Sequence, residues 1–381
     1  MKDKPRSALL IYQYYHHREM VEQLIRRVGE KGIRMDVLCW DNLHYSGLGL
    51  KGLWGCCHSI ITLCKGGLIS KVVRKLSGRR IVKTIINRYG LVDFHAFSEC
   101  YLPLMKYCVK HRIQYDITLW GSDIMRANER SVKRKEFGFS FCRYIKASDN
   151  LQRVVTEKYQ QRFDDKYRTV YFGSNGFEDI EGALKAFPDI NSMKSAFIPE
   201  AMGRIVMTCG YNGSPAQNHL RILNETEKLP TDILGRIFLL IPLTYGATES
   251  YVRDVREALT KVGVPYALFT NRLSSDSIAI IRLVSDIVVN MQETDAFSAS
   301  LREHLYCGNV LIVGDWLDYV QLDRRQVFYK RASFEGLVPS IIETVKNLDE
   351  YKRASASNRQ KMIDLTSWDA VIGAWAESYG C

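Results

Sequence analysis

The chain has 381 residues, of which 46% are hydrophobic and 25% are charged, which is the composition of an ordinary globular protein and argues against a disordered or fibrous one. Its formal net charge of +11 indicates an anionic partner, such as a sugar nucleotide, a lipid phosphate, a membrane surface or a nucleic acid. Because no run of about 18 apolar residues and no signal-peptide core is present, we expect a cytoplasmic protein without a membrane-spanning helix.

The first half of the chain alternates strand-like apolar runs with amphipathic stretches. The predicted buried strands are Ala8–Tyr12, Arg34–Trp40, Val92–Phe97, Tyr115–Trp120, Arg143–Ser148 and Tyr167–Phe172. The first two flank a predicted helix, Glu19–Lys31, and this alternation predicts a parallel sheet of Rossmann type. His95 and Asp123 lie at the ends of two strands, where open α/β sheets bind ligands. Asp123 equally suits a helix cap, and a lone histidine is more often structural.

The segment from Asn42 to Val92 has no acidic residue, and nine lysines and arginines lie between Lys51 and Arg88. Apolar residues and Trp54 are interleaved with them, a pattern that suits peripheral binding to the anionic inner face of the cell membrane. A solvated basic face on a core helix explains the segment equally well. Since no nucleic-acid recognition motif is present, we expect no nucleic-acid partner.

The second half repeats the alternation after Asp189–Pro199, a stretch of little periodicity that is predicted to be the linker. The predicted strands are Arg204–Thr208, Arg236–Pro242, Pro265–Thr270, Asp286–Asn290, Val310–Val313 and Gln326–Lys330. Later helices are predicted over Phe334–Asn347 and Leu348–Ile363. Glycines in the loop Cys209–His219 would let the backbone approach a ligand closely, although a tight turn before a helix also needs them.

One strand–loop–helix–strand unit in this half carries the clearest ligand signal. Asp295 follows the predicted strand Asp286–Asn290, and Ser298 and Ser300 are suitable caps for a helix that contains Glu303. The N-terminus of such a helix presents free amide groups and a positive dipole end, which suits a pyrophosphate. The two acids could both face a ligand held there. A helix cap and an exposed helical glutamate would give the same pattern.

The spacing of Asp295 and Glu303 resembles the acid–seven residues–acid signature of retaining GT-B glycosyltransferases, most closely those of family 4. In that family the first acid meets the donor sugar, the second binds the nucleotide ribose, and the residues between them lie over the diphosphate. This chain has aspartate where the family usually has glutamate, and Ser298 replaces the usual loop glycine. The resemblance makes Asp295 a catalytic residue and implies donor-binding roles for Phe297, Ser298, Ser300, Leu301 and Glu303.

Further matches follow in the family's order along the C-terminal half. The stretch from Gly210 to Ser214 resembles the first loop of the GT-B nucleotide domain, without its usual basic pair, so Asn218 or His219 must substitute. The strand end near Asn271 resembles the one beside the nucleobase. The donor-binding residues implied by these loops are Gly210, Asn212, Gly213, Asn218, Tyr245, Asn271, Arg272 and Leu273.

The resemblance implies an α/β fold of GT-B type, with two Rossmann-like domains facing each other across a cleft. Residues 1–198 would bind the acceptor, residues 199–365 the nucleotide sugar, and a helix in residues 366–381 would pack back on the first domain. The activity implied is that of a retaining, hexosyltransferase-like glycosyltransferase. It would move a sugar from a nucleoside diphosphate sugar to a lipid-linked glycan in bacterial surface polysaccharide synthesis.

No metal and no other cofactor is expected, because loop amides and a helix N-terminus would stabilise the leaving diphosphate. The corner Trp120–Asp123 resembles one in many bacterial polysaccharide glycosyltransferases, and the acceptor would lie near Tyr14, His16, His95 and Asp123. His95 and Asp123 would then be catalytic together with Asp295, and Asp123 would be the general base of an inverting enzyme.

Three other functions remain open. A nucleotide-sugar epimerase of the same fold would turn over the donor alone. A non-catalytic basic protein would bind a membrane or nucleic acid and no sugar nucleotide. A dehydrogenase is disfavoured, because the GxGxxG stretch Gly47–Gly52 does not follow a strand and no acid lies within the next forty residues.

Overall fold

The computed structural model describes residues 7–12, 18–39, 83 and 86–380. Tyr14 and His16 lie outside the described residues, as does most of the basic segment from Lys51 to Arg88. The chain forms two compact units. The first unit comprises Met1–Gly173 and Trp368–Cys381, and the second comprises Ser174–Ser367.

The first unit contains a parallel sheet whose described strands have the order β2-β1-β3-β4-β5-β6. These strands are β1 Ser7–Tyr12, β2 Arg34–Cys39, β3 Leu91–His95, β4 Gln114–Thr118, β5 Ile145–Ala147 and β6 Tyr167–Thr169. The longer described helices of this unit are Arg18–Glu30, Leu102–Lys110, Glu129–Phe141, Asp149–Tyr159 and Trp368–Tyr379. The predicted Rossmann-type alternation is therefore confirmed in this half; β1 begins one residue earlier than predicted, and the other five strands are one to three residues shorter.

The C-terminal helix Trp368–Tyr379 belongs to the first unit, as predicted. Its residues Ile372 and Trp375 are buried in one apolar cluster with Val21 and Leu24 of the first helix. The indole Nε1 of Trp375 donates a hydrogen bond of 2.9 Å to the carbonyl oxygen of Tyr171. Since each large apolar side chain contributes roughly 1.5–3 kcal/mol when buried, this helix is an integral part of the first core.

The second unit contains a second parallel sheet, whose described strands have the order β12-β11-β10-β7-β8-β9. These strands are β7 Ile205–Cys209, β8 Ile237–Pro242, β9 Tyr266–Phe269, β10 Ile287–Asn290, β11 Val310–Gly314 and β12 Lys330–Ala332. The longer helices of this unit are Gly176–Ala186, Ile190–Phe197, His219–Thr226, Glu249–Val262, Ser275–Val284, Ala299–Tyr306, Phe334–Lys346, Leu348–Ser355 and Asn358–Thr366. Every residue of β8, β10 and β11 is buried, which explains their near-continuous apolar sequences.

The predicted linker at Asp189–Pro199 is wrong, because residues Ile190–Phe197 form a helix. Asp189 caps this helix by accepting a hydrogen bond of 2.7 Å from the amide of Ser192. Met193 of this helix packs in one cluster with Val206 and Phe238 of the second sheet. The helix thus belongs to the second unit, and the units divide after Gly173 rather than near residue 198. The helix Ile190–Phe197 has only eight residues, which is too short for a helical period of apolar residues to be recognised in the sequence.

Two other elements differ from the sequence-based expectation. The last strand is Lys330–Ala332 rather than Gln326–Lys330, because it pairs with β11 through residues 330–332. The predicted helix Leu348–Ile363 is two helices that are separated near Ala356. Asn358, at the start of the second helix, is fully buried and holds the backbone of Phe328 through two hydrogen bonds. This contact joins positions 30 residues apart, so the local sequence pattern does not reveal it.

Candidate functional site

The carboxyl edge of the second sheet brings most of the predicted donor-binding loops together. Because its strands are parallel, the loops that follow β7, β8, β10 and β11 lie along one edge, which is where open α/β sheets bind ligands. The stretch after β7 contains Gly210 to Asn218, and the stretch after β10 contains Asp295 to Leu301. Both predicted segments therefore lie at the carboxyl edge of the second sheet, and their binding of a donor stays a prediction.

The loop after β7 is held tightly by its glycines. Gly210 has φ +66°, and a Cβ built on it would lie 2.5 Å from Nε2 of His219. A Cβ on Gly213 would lie 2.4 Å from that of Ala247 in the loop after β8. The Asn212 side chain accepts a hydrogen bond of 2.9 Å from the amide of Ser214. A larger residue at Gly210 would clash with His219, and one at Gly213 would force the loops after β7 and β8 apart.

Asn218 joins the loop after β7 to the loop after β10. It has φ +60°, which asparagine tolerates, and its amide nitrogen donates a hydrogen bond of 2.7 Å to the carbonyl of Met291. The neighbouring His219 is buried, its Nδ1 lies 3.1 Å from the hydroxyl of Tyr251, and burial lowers its pKa to about 4. His219 is therefore neutral near pH 7 and supplies no positive charge in place of the missing basic pair.

Asp295 braces the start of the predicted helix from a buried position. It accepts hydrogen bonds from the Ser298 amide (2.9 Å), the Ser298 hydroxyl (3.1 Å) and the Tyr319 hydroxyl (2.8 Å). Burial raises its pKa, and the hydrogen bonds from Tyr319 and Ser298 oppose that rise. Phe297, just before the helix, has φ +70°, a strained value for a bulky residue, and it is held there by burial.

The helix Ala299–Tyr306 is capped as expected, since the Ser298 hydroxyl accepts from the amide of Leu301. Ser300 lies inside the first turn rather than at the cap and is buried. The amide groups of Ala299 and Ser300 have no acceptor among the residues that the structure describes. These two amides remain available to an anion at the helix N-terminus.

Glu303 is occupied by contacts within the second unit. Its carboxylate forms an ion pair with Arg282, with Nε 3.0 Å from Oε2. The other oxygen packs against the backbone of Gly176, where an added Cβ would lie only 2.4 Å away. Arg282 also lies 3.1 Å from Nε2 of His304. The ribose-binding role of Glu303 stays a prediction, and in this arrangement it requires the Arg282 ion pair to open.

A cavity of about 550 Å³ lies at the same edge, beside these loops. It is lined by Asn218 and by residues that the sequence did not single out, chiefly Arg221, Glu293, Asp315, Trp316 and Phe334. Trp316 is 42% exposed, stacks on Phe334 with ring centroids 5.3 Å apart, and donates from its indole nitrogen to the carbonyl of Gln292 at 3.0 Å. The only sequence signal for it was an aromatic residue two positions after the end of a buried strand.

The charges of this cavity are mixed. The guanidinium of Arg221 lies 3.5 Å from the ring centre of Phe334 and 3.6 Å from the exposed carboxylate of Glu335. The carboxylates of Glu293 and Asp315 have no hydrogen-bond partner within residues 86–380 or the other described ranges. An aromatic face beside free carboxylates and one cation can bind a polyhydroxylated ring that also carries an anionic group.

The remaining predicted donor residues are spread along the same edge. Tyr245 is 60% exposed and its carbonyl accepts a hydrogen bond of 2.6 Å from the amide of Gly213. Asn271 and Arg272 are exposed after β9, and Leu273 packs partly against the core. None of these four lines the cavity beside Trp316. Their contacts with a donor stay predictions.

The two predicted catalytic residues of the first unit have structural contacts. His95 ends β3 but is fully buried, with its Nδ1 accepting from the Trp120 indole at 3.3 Å and its Nε2 3.3 Å from Asp93. The Asp123 carboxylate accepts from the amides of Phe97, Trp120 and Gly121. Burial raises the pKa of Asp123, against the opposing effect of Lys135. Both roles stay predictions, and His95 would need its surroundings to open before it could reach a substrate.

Two features of the described residues bear on cofactors and on membrane insertion. No group of three or more histidine, cysteine, aspartate or glutamate residues is placed there to hold a metal ion. No helix in the same ranges has the length and hydropathy that crossing a bilayer requires.

No protein-family model matches the chain, and no curated protein matches it in sequence. Solved structures match it in fold. HepE from Anabaena in complex with UDP and glucose has a TM-score of 0.73 at 13% identity, over 98% of this chain and 99% of that chain. A glycosyltransferase from Rickettsia africae has a TM-score of 0.73 at 14% identity, over 99% and 98%. Sucrose-phosphate synthase from Thermosynechococcus elongatus has a TM-score of 0.70 at 12% identity, over 98% of both chains.

These similarities and the two parallel sheets show that the protein has the GT-B fold, as predicted. A UDP-N-acetylglucosamine 2-epimerase is also similar, with a TM-score of 0.57 at 10% identity, over 96% of this chain and 92% of that chain. Proteins of similar fold thus include glycosyltransferases and an epimerase, so the fold does not distinguish the two activities and the residues of the site have to be considered.

Proposed function

We propose that the protein is a glycosyltransferase that moves a sugar from a nucleoside diphosphate sugar to a glycan acceptor. The observation that carries this proposal is the GT-B fold along nearly the whole chain, with a cavity at the carboxyl edge of its second sheet. Structures of HepE hold UDP with glucose, UDP, or UDP-glucose. Uridine diphosphate sugars are accordingly the first donor class to test.

Different residues along that edge would bind different parts of the donor. The Arg221 guanidinium and the free amides of Ala299 and Ser300 would stabilise the diphosphate as negative charge develops on it. The exposed face of Trp316 would pack against the sugar ring. The carboxylates of Glu293 and Asp315, which are free within the described chain, would accept hydrogen bonds from sugar hydroxyls.

The proposed reaction is a hexosyl transfer with retention. The acceptor hydroxyl attacks C1 on the face from which the diphosphate leaves; the bond from C1 to the diphosphate oxygen breaks, and that diphosphate takes the hydroxyl proton. No separate base is needed. Asp295, whose pKa is raised by burial, would hold the donor loop through its hydrogen bonds with Ser298 and Tyr319, and one of these bonds would have to open before its carboxylate could meet the sugar. If the enzyme inverts, Asp123 is the candidate general base.

The acceptor in this proposal is a lipid-linked glycan of a bacterial surface polysaccharide. Its support is the sequence alone: the basic segment from Lys51 to Arg88 and the corner Trp120–Asp123. Peripheral attachment to the inner face of the membrane is part of the same proposal. Flotation with anionic liposomes at low salt tests it, and protein that stays at the bottom of the gradient would count against it.

The donor proposal is tested by the shift in melting temperature caused by each of a panel of sugar nucleotides. We expect at least one uridine diphosphate sugar to raise the melting temperature of the wild type. Arg221→Met should lower the affinity by about tenfold, the loss expected for one charge-assisted contact. Arg253→Met is the matched control, because Arg253 is exposed on the helix Glu249–Val262 and its one ion pair with a described residue is a weak one, 3.9 Å from Asp254.

Two outcomes would contradict the donor proposal. The first is the absence of a shift with every sugar nucleotide. The second is an equal loss of affinity in Arg221→Met and Arg253→Met, because Arg253 does not line the cavity and an equal loss would indicate a nonspecific charge effect. A transfer assay with the best donor then separates binding from catalysis.

A second candidate function is nucleotide-sugar epimerisation, favoured by the structural similarity to the UDP-N-acetylglucosamine 2-epimerase. An epimerase converts its nucleotide sugar without an acceptor. Incubation of the protein with the stabilising sugar nucleotide alone, followed by NMR of the sugar ring protons, decides between the two. Appearance of an epimer would replace the transferase proposal.

A further inference from the structure

The first unit has a cavity of its own, of about 600 Å³, at the carboxyl ends of β3 and β4. The loop of residues 96–99, the pair Ser122 and Asp123, and residues between 126 and 135 line it. The last of these include the start of the helix Glu129–Phe141, whose cap is Asn128. This cavity thus combines a strand edge, where α/β proteins bind ligands, with a helix N-terminus, which favours anions.

The side chains around this cavity are predominantly cationic. Four of them are basic, and they are Arg126, Arg130, Arg134 and Lys135. Two are acidic, Glu99 and Asp123, and each is already engaged. Glu99 pairs with Arg134 at 2.9 Å, and the Asp123 carboxylate accepts from three backbone amides. The exposed Arg130 has neither an ion pair nor a side-chain hydrogen bond to any residue in the described ranges.

Lys135 places a buried ammonium group at this cavity. The residue is only 5% exposed, and its ammonium donates to the carbonyl oxygen of Asp123. Its nitrogen also lies 5.4 Å from the centre of the Phe97 ring, and the charges of Asp123 and Glu99 act on it. An ammonium group carries three N–H donors, and two of those of Lys135 have no hydrogen-bond acceptor among the residues that the structure describes. Burying a cation with spare donors is costly unless a ligand completes its hydrogen bonds.

We propose that this cavity binds the phosphoryl group of an anionic acceptor substrate, with Arg130 and Lys135 as its principal ligands. The inference rests on the proposed glycosyltransferase function and names the substrate class on the acceptor side. A guanidinium fork matches two phosphate oxygens, and a compact ammonium adds a point charge. The phosphoryl group belongs either to a soluble sugar phosphate or to a lipid diphosphate, and both share this chemistry.

The soluble form is tested by titrating the protein with glucose 6-phosphate and with glucose, using isothermal calorimetry. We expect the phosphorylated sugar to bind and glucose to bind far more weakly. Arg130→Gln should weaken binding of the phosphorylated sugar by about tenfold, which corresponds to roughly 1.4 kcal/mol. Lys135→Met should weaken it at least as much. Because Lys135 is buried and its loss could unfold the protein, the exposed Arg130 keeps the test decisive.

The matched control is Lys133→Gln. Lys133 is exposed on the same helix, two residues from Lys135, and does not line the cavity. Its replacement removes the same charge, so we expect unchanged binding. Equal losses in Arg130→Gln and Lys133→Gln would overturn the proposal, because they would indicate diffuse electrostatic attraction instead of a site.

The lipid form is tested by flotation with phosphatidylcholine vesicles that do or do not contain a polyprenyl diphosphate. Binding that requires the diphosphate and is lost in Arg130→Gln supports a lipid-borne phosphoryl group. If neither glucose 6-phosphate nor the diphosphate vesicles show binding that depends on Arg130, the proposal is overturned for both sources.

The same variant separates this inference from the donor proposal. Arg130→Gln should keep the melting-temperature shift caused by the best sugar nucleotide, since Arg130 belongs to the first unit and the donor cavity to the second. A retained nucleotide shift without Arg130-dependent phosphate binding would remove this inference and leave the donor proposal intact. Phosphate binding that depends on Arg130, without a melting-temperature shift from any sugar nucleotide, would remove the donor proposal and leave the phosphate site intact.

Discussion

The two units share one parallel-sheet architecture but differ in where they bury charge. In the first unit, the neighbouring strands β3, β4 and β5 carry Asp93, Asp116 and Lys146, all with no exposed surface. In the second unit, the residues of the equally buried β8 are all apolar. The first sheet therefore combines an apolar core with an internal ion cluster, whereas the core of the second depends on hydrophobic packing.

The ion cluster attaches the C-terminal helix to the first sheet. The Lys146 ammonium lies 2.9 Å from both Asp93 and Asp116. The Tyr379 hydroxyl donates to Asp93 at 2.5 Å, and Arg143 bridges Asp116 to the carbonyl oxygen of Ser378. Buried charges add little net stability, but they are satisfied in one arrangement only. The buried ion cluster of the first unit thus specifies where the C-terminal helix packs on the sheet.

The carboxyl edges of the two sheets differ in a related way. The cavity of the first unit has four basic side chains and acids that are already engaged. The cavity of the second unit has an exposed tryptophan, free carboxylates within the described chain and one arginine. The cavity of the first unit is suited to a phosphoryl group, and the cavity of the second unit is suited to a sugar with its diphosphate. The two proposals assign these ligands accordingly.

The largest expected effect comes from breaking the ion cluster at its centre. Lys146→Met leaves two aspartates buried without their shared cation, and loss of one partner of a buried ion group costs about 3–5 kcal/mol. Urea denaturation followed by tryptophan fluorescence measures the loss. Lys133→Met removes an exposed lysine of the same unit and should change the unfolding free energy far less. Similar values for the two variants would show that the cluster contributes no more than a surface charge.

An intermediate effect is expected for Asp93→Asn, with a defined pH dependence. Asp93 accepts hydrogen bonds from Thr118, Lys146 and Tyr379, so the loss at pH 7 should be about 1.5–3 kcal/mol. Burial favours a higher pKa for Asp93, but Lys146 and His95 outweigh it and hold the pKa well below its usual range. The stabilisation is therefore complete above the unfolded pKa of about 4 and declines as the pH falls below it.

The measurement for Asp93→Asn is a series of urea denaturations from pH 7 to pH 3. The difference from the wild type should stay constant down to about pH 4 and then narrow. Asp369→Asn serves as the control, because Asp369 is exposed and, among the described residues, pairs with Arg27 alone, at 3.2 Å on the surface. A difference that widens in acid would mean that Asp93 is not held ionised by Lys146.

The smallest effect, of opposite sign, is expected for Asp295→Asn in the second unit. Burial raises the pKa of Asp295, so ionisation opposes folding above the unfolded pKa of about 4. Asparagine keeps an oxygen for the Tyr319 hydroxyl and removes the charge. The variant should therefore be slightly more stable than the wild type at pH 7, and the gain should vanish near pH 4. A loss of stability that grows between pH 4 and pH 7 would contradict this sign.

Much of the candidate site could be predicted where its residues are neighbours in the chain. Ser298 caps the helix Ala299–Tyr306 because a cap is a contact over three residues. Glu303 was predicted in the correct helix, but its occupation by Arg282 was not, because that contact joins positions 21 residues apart. Trp316 and Arg221 were missed, since only the sheet brings their loops to one cavity.

The sequence by itself determined the two parallel sheets, because a strand buried on both faces must be apolar along its whole length. It also determined the capped helix and the net positive charge. Only the tertiary structure decided that the units divide after Gly173 and that Lys146 satisfies Asp93, 53 positions away. The physical reason is that burial leaves a periodic imprint on each segment, whereas the identity of a distant partner leaves none.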